Sequence, residues 1–508
     1  MREYPILSAD EAAAMIQNGD TIAVGGFTTA GSVKVITKSL AERAQAIHAR
    51  EEPFAVRVLS GASTDTAVDD VLANAEAISY RLPYQTSIPL RQSINARKVE
   101  FLDMHLSSMM PLLKCGALGV IDYAIFEAAA VYRDGSILLT SAVGPAPTFA
   151  RLAKHILIEL NTYHPDDLEG LHDIYELDLP PRTREIPIYR PSDRIGATLM
   201  RVNPAKIAGI VHTNVPDHGM AMTPADEISQ KIGENIAQLL VDEMRAGRMG
   251  ESFFPIQAGV GNVSNALLSA LYSSPSIPQF CMYSEIVQDT VIDGIDADRI
   301  RFASSAGLSV SPPVLQRIYS DLPRYLKKLT LRPQEITNHP EVIRRLGVIG
   351  INTALEVDIW GNVNSTHVCG THLMNGIGGS GDFTRNSFIS IFATPSTAKG
   401  GSISAIVPHC SHIDHTEHDT QFIVTEYGVA DLRGKGPMQR ARAIIDRCAH
   451  PSYRDQLNEY LDMQKTGRIA VQLRNAFAFH EKYQLHANIG KKSLTVDGGK
   501  THSHPRKK

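Results

Sequence analysis

Residues 21–27 read Thr-Ile-Ala-Val-Gly-Gly-Phe, a run of apolar residues that ends in a pair of glycines. A buried parallel strand that leads into a tight turn has this pattern, because both of its faces are covered by apolar groups. Similar short runs recur at residues 56–59, 120–128, 156–160 and 207–211, and a helix-like stretch covers residues 33–50. Short apolar strands that alternate with helices predict an α/β fold with a mainly parallel sheet.

The same alternation begins again after a polar, proline-containing stretch at residues 216–224. The strand candidates in the second half are residues 254–258, 279–283, 300–304, 387–392, 402–407 and 421–425. A chain of 508 residues is too long for one ordinary core. We therefore expect two α/β domains, residues 1–220 and 221–490, which could be distant copies of one fold. The polar tail, residues 491–508, is expected to be disordered.

The first residues of the chain predict a short helix instead of a targeting segment. Ser8 and Glu11 have the spacing of a capping box, and Gly19 can end the helix in a left-handed conformation. The N-terminus has neither the apolar core of a signal peptide nor an arginine-rich amphipathic stretch. We therefore expect a cytoplasmic protein.

Composition excludes several classes of partner. The net charge of -4 gives no reason to expect nucleic acid or an acidic membrane surface. No window approaches the roughly 18 uninterrupted apolar residues of a membrane-spanning helix. The five cysteines are widely separated and lack CxxC spacing, so they are expected to be reduced.

The segment at residues 279–289 brings a carboxylate to the end of a predicted strand. It reads Gln-Phe-Cys-Met-Tyr-Ser-Glu-Ile-Val-Gln-Asp, and Glu285 follows the apolar run directly. Ligands of open α/β sheets bind beyond the carboxyl ends of the strands. From the pattern alone, Glu285 can be a nucleophile, a general base, or a structural residue that caps a helix or forms a salt bridge.

Two glycine-containing segments suit close approach of the backbone to a ligand. Residues 257–263 place a Gly-x-Gly turn between a predicted strand and a helix, where backbone N–H groups can bind a phosphate or an oxyanion. Residues 374–383 contain four glycines within six positions, which favours a binding loop over a flexible surface loop. The first segment lacks the full dinucleotide-binding spacing, so a nicotinamide or flavin site is not predicted.

The His-rich segment at residues 409–418 invites a zinc assignment, because histidine, cysteine and acidic residues crowd together there. It has no HExxH or paired-cysteine spacing, and we therefore favour a polar loop held by hydrogen bonds. The same interpretation applies to His367 and His372 on either side of Cys369. The chain also lacks a GxSxG elbow and a Walker A motif, which argues against a serine hydrolase and a nucleotide hydrolase.

Taken together, these segments resemble the acetyl-CoA hydrolase/transferase family, and among its members the bacterial succinyl-CoA:acetate and propionyl-CoA:succinate CoA-transferases. The resemblance extends over residues 8–462. The motifs that carry it, in the order of the family, are residues 26–28, 83–86, 104–107, 257–263, 283–285, 331–338, 375–383, 412–418 and 425–433. This sequence departs from the family at Ser284, where threonine is frequent, and at Tyr427, where glutamine is frequent.

The resemblance implies two related α/β domains with the active site at their junction, and a homodimer. Carried onto this sequence, it makes Glu285 the nucleophile, has Asn338 position that glutamate, and places Glu426 near the site as a second acid. It implies no metal site at residues 412–418. The positions that it implies for CoA binding or for the oxyanion hole are Gly259, Val260, Gly261, Asn262, Val263, Asn375, Gly379 and Lys399.

The function that the resemblance implies is exchange of CoA between succinate and acetate or propionate. A carboxylate nucleophile suits this task, because an acyl-glutamyl anhydride and a glutamyl-CoA thioester both keep the acyl group activated. CoA and acyl-CoA are then substrates, and no metal or redox cofactor is expected. The alternative is an acetyl-CoA or short-chain acyl-CoA hydrolase on the same scaffold, and a non-catalytic CoA-binding regulator is a third possibility.

Overall fold

The computed structural model describes residues 4–219, 224–249, 253–259 and 261–484. Its α-helices are α1 (Ala9–Met15), α2 (Ile36–His48), α3 (Asp69–Asn74), α4 (Ile88–Asn95), α5 (Leu106–Lys114), α6 (Ala146–Leu152), α7 (Glu227–Arg245), α8 (Asn262–Ser273), α9 (Asp289–Asp296), α10 (Pro312–Ser320), α11 (Leu322–Tyr325), α12 (Gln334–Thr337), α13 (Pro340–Leu346), α14 (Ser380–Asn386), α15 (Pro437–Cys448) and α16 (Pro451–Asp462).

Nine strands precede residue 220: β1 (Thr21–Val24), β2 (Val56–Leu59), β3 (Ile78–Leu82), β4 (Glu100–Phe101), β5 (Tyr123–Val131), β6 (Ser136–Leu139), β7 (His155–Asn161), β8 (Met200–Arg201) and β9 (Ile207–Thr213). The later strands are β10 (Ile256–Ala258), β11 (Phe280–Tyr283), β12 (Ile286–Val287), β13 (Ile300–Ser305), β14 (Gly307–Leu308), β15 (Leu329–Leu331), β16 (Ile349–Thr353), β17 (Glu356–Asp358), β18 (Val363–Asn364), β19 (His367–Val368), β20 (His372–Leu373), β21 (Ile389–Ala393), β22 (Thr397–Ala398), β23 (Ile403–Ser404), β24 (Ile406–Val407), β25 (Phe422–Thr425) and β26 (Gly428–Asp431).

The two large sheets share one strand order. The parallel strands of the first run β4-β3-β2-β1-β5-β7-β9, and those of the second run β15-β13-β11-β10-β16-β21-β25. Counted along the chain within each sheet, both orders are 4-3-2-1-5-6-7. Antiparallel strands extend each sheet, β6 and β8 in the first and β26 in the second. The predicted pair of related, mainly parallel α/β domains is confirmed.

The domains share one apolar cluster and meet along a hydrogen-bonded seam. The cluster contains Phe126 and Ile158 from the first sheet together with Ile256 and Ile351 from the second. At the seam, backbone N–H groups cross in both directions, from Val143 to the Ala306 carbonyl at 3.0 Å and from Gln334 to the Gly144 carbonyl at 3.0 Å. Phe27, which follows β1, and Ala306, which follows β13, also lie in one small buried cluster, so the carboxyl edges of the two parallel sheets face each other.

Two local predictions are wrong. Helix α1 begins with the predicted Ser8–Glu11 capping box but ends at Met15, with Ile16 extended, so Gly19 does not cap it. Residues 402–407 do not add a strand to the main sheet, because β23 and β24 pair separately in two small sheets. The predicted boundary near residue 220 falls on residues 220–223, and the tail 491–508 also lies outside the described residues. In the described ranges, no helix combines the length and apolarity needed to cross a membrane.

Candidate active site

Glu285 lies two residues beyond β11, where backbone hydrogen bonds to the neighbouring strand fix its main chain. The Ser284 N–H donates to the Ser304 carbonyl at 3.0 Å, and the Ala306 N–H donates to the Glu285 carbonyl at 2.9 Å. The side chain of Glu285 is partly buried. The apolar run of β11 therefore delivers a carboxylate to the edge of the sheet, as the sequence predicts.

Asn338 holds the Glu285 carboxylate. Its Nδ2 donates to Oε1 of Glu285 at 2.9 Å, and its own side chain is fully buried next to Thr337, whose hydroxyl donates to Oδ1 at 3.1 Å. Burial raises the pKa of Glu285 to about 7, and the Asn338 hydrogen bond opposes this rise. At neutral pH the Glu285 carboxyl group is thus poised between its charged and neutral forms.

Position 379 requires glycine because the Glu285 carboxyl group lies directly against it. A Cβ added there would overlap the Glu285 carboxyl group and lie 2.5 Å from Nδ2 of Asn338. Two further glycines of the glycine-rich loop, which comprises residues 376–381, pack in the same close way against the first domain. A Cβ at Gly376 or Gly378 would lie 3.2 or 3.1 Å from the ring of Tyr84. The loop therefore packs closely against protein side chains, and its predicted approach to a ligand stays a prediction.

The turn after β10 lies beside Glu285, because β10 and β11 are adjacent parallel strands. Ser284 Oγ donates to the Ala258 carbonyl at 3.1 Å, and Gln288 Nε2 donates to the Gly259 carbonyl at 2.9 Å. Gly261 has φ of 102° and leads directly into α8. Gly259, Gly261, Asn262 and Val263 therefore occupy the predicted strand-to-helix junction, and Val260 lies outside the described residues.

Asn375 contacts the first domain rather than Glu285. Its Nδ2 donates to the Tyr84 hydroxyl at 3.2 Å, and its Oδ1 is buried with no hydrogen-bond partner among the described residues. An unpaired buried acceptor costs free energy unless a ligand or water satisfies it. The predicted role of Asn375 in CoA binding stays a prediction.

Glu426 and Lys399 lie away from Glu285. Glu426 follows β25, which is four strand positions from β11, or about 19 Å at the usual strand spacing. Both of its carboxylate oxygens accept hydrogen bonds from Ser396, at 2.9 Å from N–H and 2.5 Å from the hydroxyl. Lys399 is exposed, and its Nζ contacts the Tyr483 hydroxyl at 2.7 Å. The structure thus separates the predicted residues into a group around Glu285 and a more distant group.

Lys399 lines a cavity of about 970 Å³ that the sequence analysis did not anticipate. Two hairpins, β19–β20 and β22–β23, form its walls together with residues 479–484. Met374, the neighbour of Asn375, also lines it. The cavity therefore adjoins the segment that leads to the glycine-rich loop and to Glu285.

The His-rich loop at residues 409–418 is held by hydrogen bonds. Asp414 accepts from the Ser365 N–H at 2.7 Å and from the Thr366 hydroxyl at 2.9 Å. His415 Nε2 lies 3.2 Å from the hydroxyl of Ser380 in the glycine-rich loop. Among the described residues, the one cluster with metal-ligand spacing lies elsewhere, at Glu127, His164 and Asp217. Lys34 forms ion pairs with two of those carboxylates, at 2.6 and 2.9 Å, and so already supplies the cation there.

Two residues of the site were missed by the sequence analysis. Asp382 accepts a hydrogen bond from Asn338 Nδ2 at 3.2 Å, and Tyr84 lies against the glycine-rich loop. Both belong to motifs that carried the family resemblance, but neither was singled out. The only signal in the sequence was that Asp382 directly follows the glycine-rich loop.

Comparisons with known proteins identify the family to which this sequence is similar. Family models for the N-terminal and C-terminal domains of acetyl-CoA hydrolase/transferase match residues 2–183 and 315–461. A propanoyl-CoA:succinate CoA transferase of Escherichia coli is 47% identical over 94% of this chain and 97% of its own length. A succinyl-CoA:acetate CoA-transferase of Clostridium kluyveri is 43% identical over 94% of this chain and 89% of its own length. An acetyl-CoA hydrolase of Schizosaccharomyces pombe is 39% identical over 94% of this chain and 92% of its own length.

Solved structures agree at the level of the fold. RipA from Yersinia pestis superposes with a TM-score of 0.67 at 23% identity, covering 90% of this chain and 96% of RipA. A 4-hydroxybutyrate CoA-transferase from Porphyromonas gingivalis superposes with a TM-score of 0.60 at 22% identity, with the same coverage. The matched domains, the extent of the identity and the shared fold together show that this chain belongs to the acetyl-CoA hydrolase/transferase family.

Proposed function

We propose that this protein is an acyl-CoA:carboxylate CoA-transferase whose nucleophile is Glu285. The observation that carries the proposal is the corner formed by Glu285, Asn338 and Gly379, where a carboxylate is oriented by one amide and closely backed by a glycine. Two relatives at 43–47% identity are CoA-transferases by name, which supports transfer of CoA over other uses of the site.

In the proposed reaction, the Glu285 carboxylate attacks the carbonyl carbon of an acyl-CoA. A C–O bond forms, the C–S bond breaks, and an acyl-glutamyl anhydride and CoA thiolate result. The thiolate then attacks the glutamyl carbonyl, which releases the first acid as its carboxylate and leaves a glutamyl-CoA thioester. A second carboxylate reverses these two steps and leaves as its own CoA ester. The scheme uses CoA and acyl-CoA as substrates and needs no further cofactor.

Each addition step places negative charge on a carbonyl oxygen beside Glu285. Asn338 Nδ2 already donates to this carboxyl group, so it can donate to the oxyanion formed on the glutamyl carbon. The backbone N–H groups of Gly379 and of residues 259–263 are the further donors we propose. Loss of one such donor typically costs a factor of about 10²–10³ in rate.

We further propose that the CoA moiety occupies the cavity beside Lys399. The Lys399 ammonium suits the phosphates of CoA, and the cavity adjoins residues 374–379, along which an extended pantetheine arm can reach Glu285. Binding energy gained there, far from the reacting carbonyl, can position the thioester. The homodimer, the cytoplasmic location and the role of Glu426 remain predictions, of which sedimentation analysis tests the first.

The proposal is tested by supplying succinyl-CoA and isotopically labelled acetate and quantifying both labelled acetyl-CoA and free CoA. We expect acetyl-CoA to form in step with the loss of succinyl-CoA, with free CoA a minor product. The Glu285→Gln variant should lose this activity, whereas Glu42→Gln, at an exposed position of α2, should keep it. Free CoA as the main product with or without acetate would instead establish the hydrolase that the Schizosaccharomyces pombe relative represents.

A further inference from the structure

A second carboxylate, that of Asp382, shares the amide that holds Glu285. Nδ2 of Asn338 lies 2.9 Å from Oε1 of Glu285 and 3.2 Å from Oδ2 of Asp382. Asp382 is only 4% exposed. A primary amide has two N–H groups that diverge in one plane, so directing one to Asp382 fixes the direction of the other. The orientation of the donor to Glu285 therefore depends on Asp382.

Asp382 is itself held by the other domain. The Ser107 N–H in α5 donates to Oδ2 of Asp382 at 3.0 Å, and the Ser107 hydroxyl donates to Oδ1 at 2.5 Å. These donors and the Asn338 amide are all neutral, so no cation compensates the charge of Asp382 through these bonds. The resulting chain of contacts runs from Ser107 through Asp382 and Asn338 to Glu285 and crosses the junction between the domains.

The two carboxyl groups also influence each other electrostatically. Burial and, to a smaller extent, the nearby charge of Glu285 together raise the pKa of Asp382 to about 7, against the opposing hydrogen bonds from Ser107 and Asn338. Two like charges around one amide disfavour ionisation of both groups together. When Glu285 carries an acyl group or CoA it loses its charge, and this repulsion disappears. The other titratable side chains that border this corner are Tyr84, Asp103, His105 and His415.

We propose that Asp382 is a positioning residue of this enzyme. It orients the Asn338 amide toward Glu285 and makes that orientation depend on the position of α5. Its negative charge also favours the uncharged, acylated state of Glu285. This inference rests on the proposed role of Glu285 as the nucleophile. Asp382 itself does not contact the substrate in this account; it acts through Asn338 and through its charge.

The test compares the pH dependence of kcat/KM for succinyl-CoA, with acetate as acceptor, in wild type and in Asp382→Asn between pH 5.5 and 9. Loss of the negative charge at position 382 makes ionisation of Glu285 easier. We expect the acid limb of the profile to move to lower pH by about one unit and the plateau to fall about tenfold. A kcat/KM that falls by the same factor at every pH, or a pH profile identical to that of wild type, would overturn the proposal.

Ser107→Ala provides a second variant if Asp382→Asn does not fold. It removes one hydrogen-bond donor to Asp382 while keeping both carboxyl groups. Because Asp382 then stays protonated to a higher pH, the acid limb of the kcat/KM profile should move to lower pH, by less than in Asp382→Asn. An acid limb that stays in place would again contradict the proposal. Activity retained in Glu285→Gln would refute the proposed function itself, so the two failures are distinguishable.

Discussion

Replacing Gly379 by alanine tests the geometry of the reacting corner most specifically. The backbone at Gly379 has φ of -88°, which alanine adopts without strain, so the effect must come from the added methyl group. That methyl carbon would lie 2.5 Å from Nδ2 of Asn338 and would overlap the Glu285 carboxyl group. Ordinary van der Waals separations begin near 3.5 Å, so the amide must move by about 1 Å and the carboxylate by more than that.

A displacement of about 1 Å at a reacting group can reduce the rate about 10²-fold. We therefore expect Gly379→Ala to lower kcat/KM about 10²-fold, with most of the loss in kcat, because the CoA cavity is not affected. The assay is steady-state transfer from succinyl-CoA to acetate, with thermal unfolding measured in parallel. Gly436→Ala is the matched control, since a Cβ there meets nothing within 4 Å and its φ of -72° also suits alanine.

A double variant separates the clash from a general loss of stability. In a Glu285→Ala background the carboxylate is absent, so Gly379→Ala should destabilise the protein less than it does in wild type. The reasoning would be refuted if Gly379→Ala kept kcat/KM within about threefold of wild type. It would also be refuted if the cost in stability were equal in both backgrounds.

Three further outcomes follow from the structure. In the proposed mechanism the ionised form of Glu285 is the nucleophile, and burial raises its pKa to about 7, so kcat/KM should fall as the pH drops below about 7; a profile flat down to pH 5 would contradict this. Lys399→Ala should raise KM for succinyl-CoA about 3- to 10-fold without changing KM for a succinyl-pantetheine thioester, which has no nucleotide phosphates; equal effects on both would remove Lys399 from the CoA site. Asp173→Ala should lower the free energy of unfolding by about 3–5 kcal/mol in urea titrations, because it leaves the fully buried Arg332 without its ion-pair partner; a loss below 1 kcal/mol would contradict it.

The strands of both sheets could be predicted because each is marked by a short local run of apolar residues. The run at residues 56–59 coincides with β2, and Glu285 lies beyond the predicted strand that became β11. Residues 402–407 show the limit of this reasoning. They contain the β-branched residues that strands favour, but β23 pairs with the neighbouring β22 and β24 pairs with β17, which lies about 50 residues earlier in the chain, so neither joins the main sheet.

The site was predictable where one residue carries the signal and less so where two domains meet. The place of Glu285 at a strand end and the glycine-rich segment could be predicted from local pattern, whereas the individual roles of Glu285 and Gly379 came from the family resemblance. Asp382 acquires its role only through Ser107, which lies 275 positions earlier in the chain. Similarly, nothing in the sequence near Glu426 indicates that Ser396 occupies both of its oxygens. Contacts across the domain junction are set by packing of distant segments, which sequence periodicity does not encode.

The central claim is that Glu285 forms a covalent intermediate, and intact-protein mass spectrometry tests it most directly. Wild type and Glu285→Ala are incubated with succinyl-CoA in the absence of an acceptor acid, and each is then given acetate or propionate. We expect a CoA adduct on wild type that is absent from Glu285→Ala and that is lost when the acid is added. No adduct on wild type, together with free CoA released at the same rate by the variant, would contradict it.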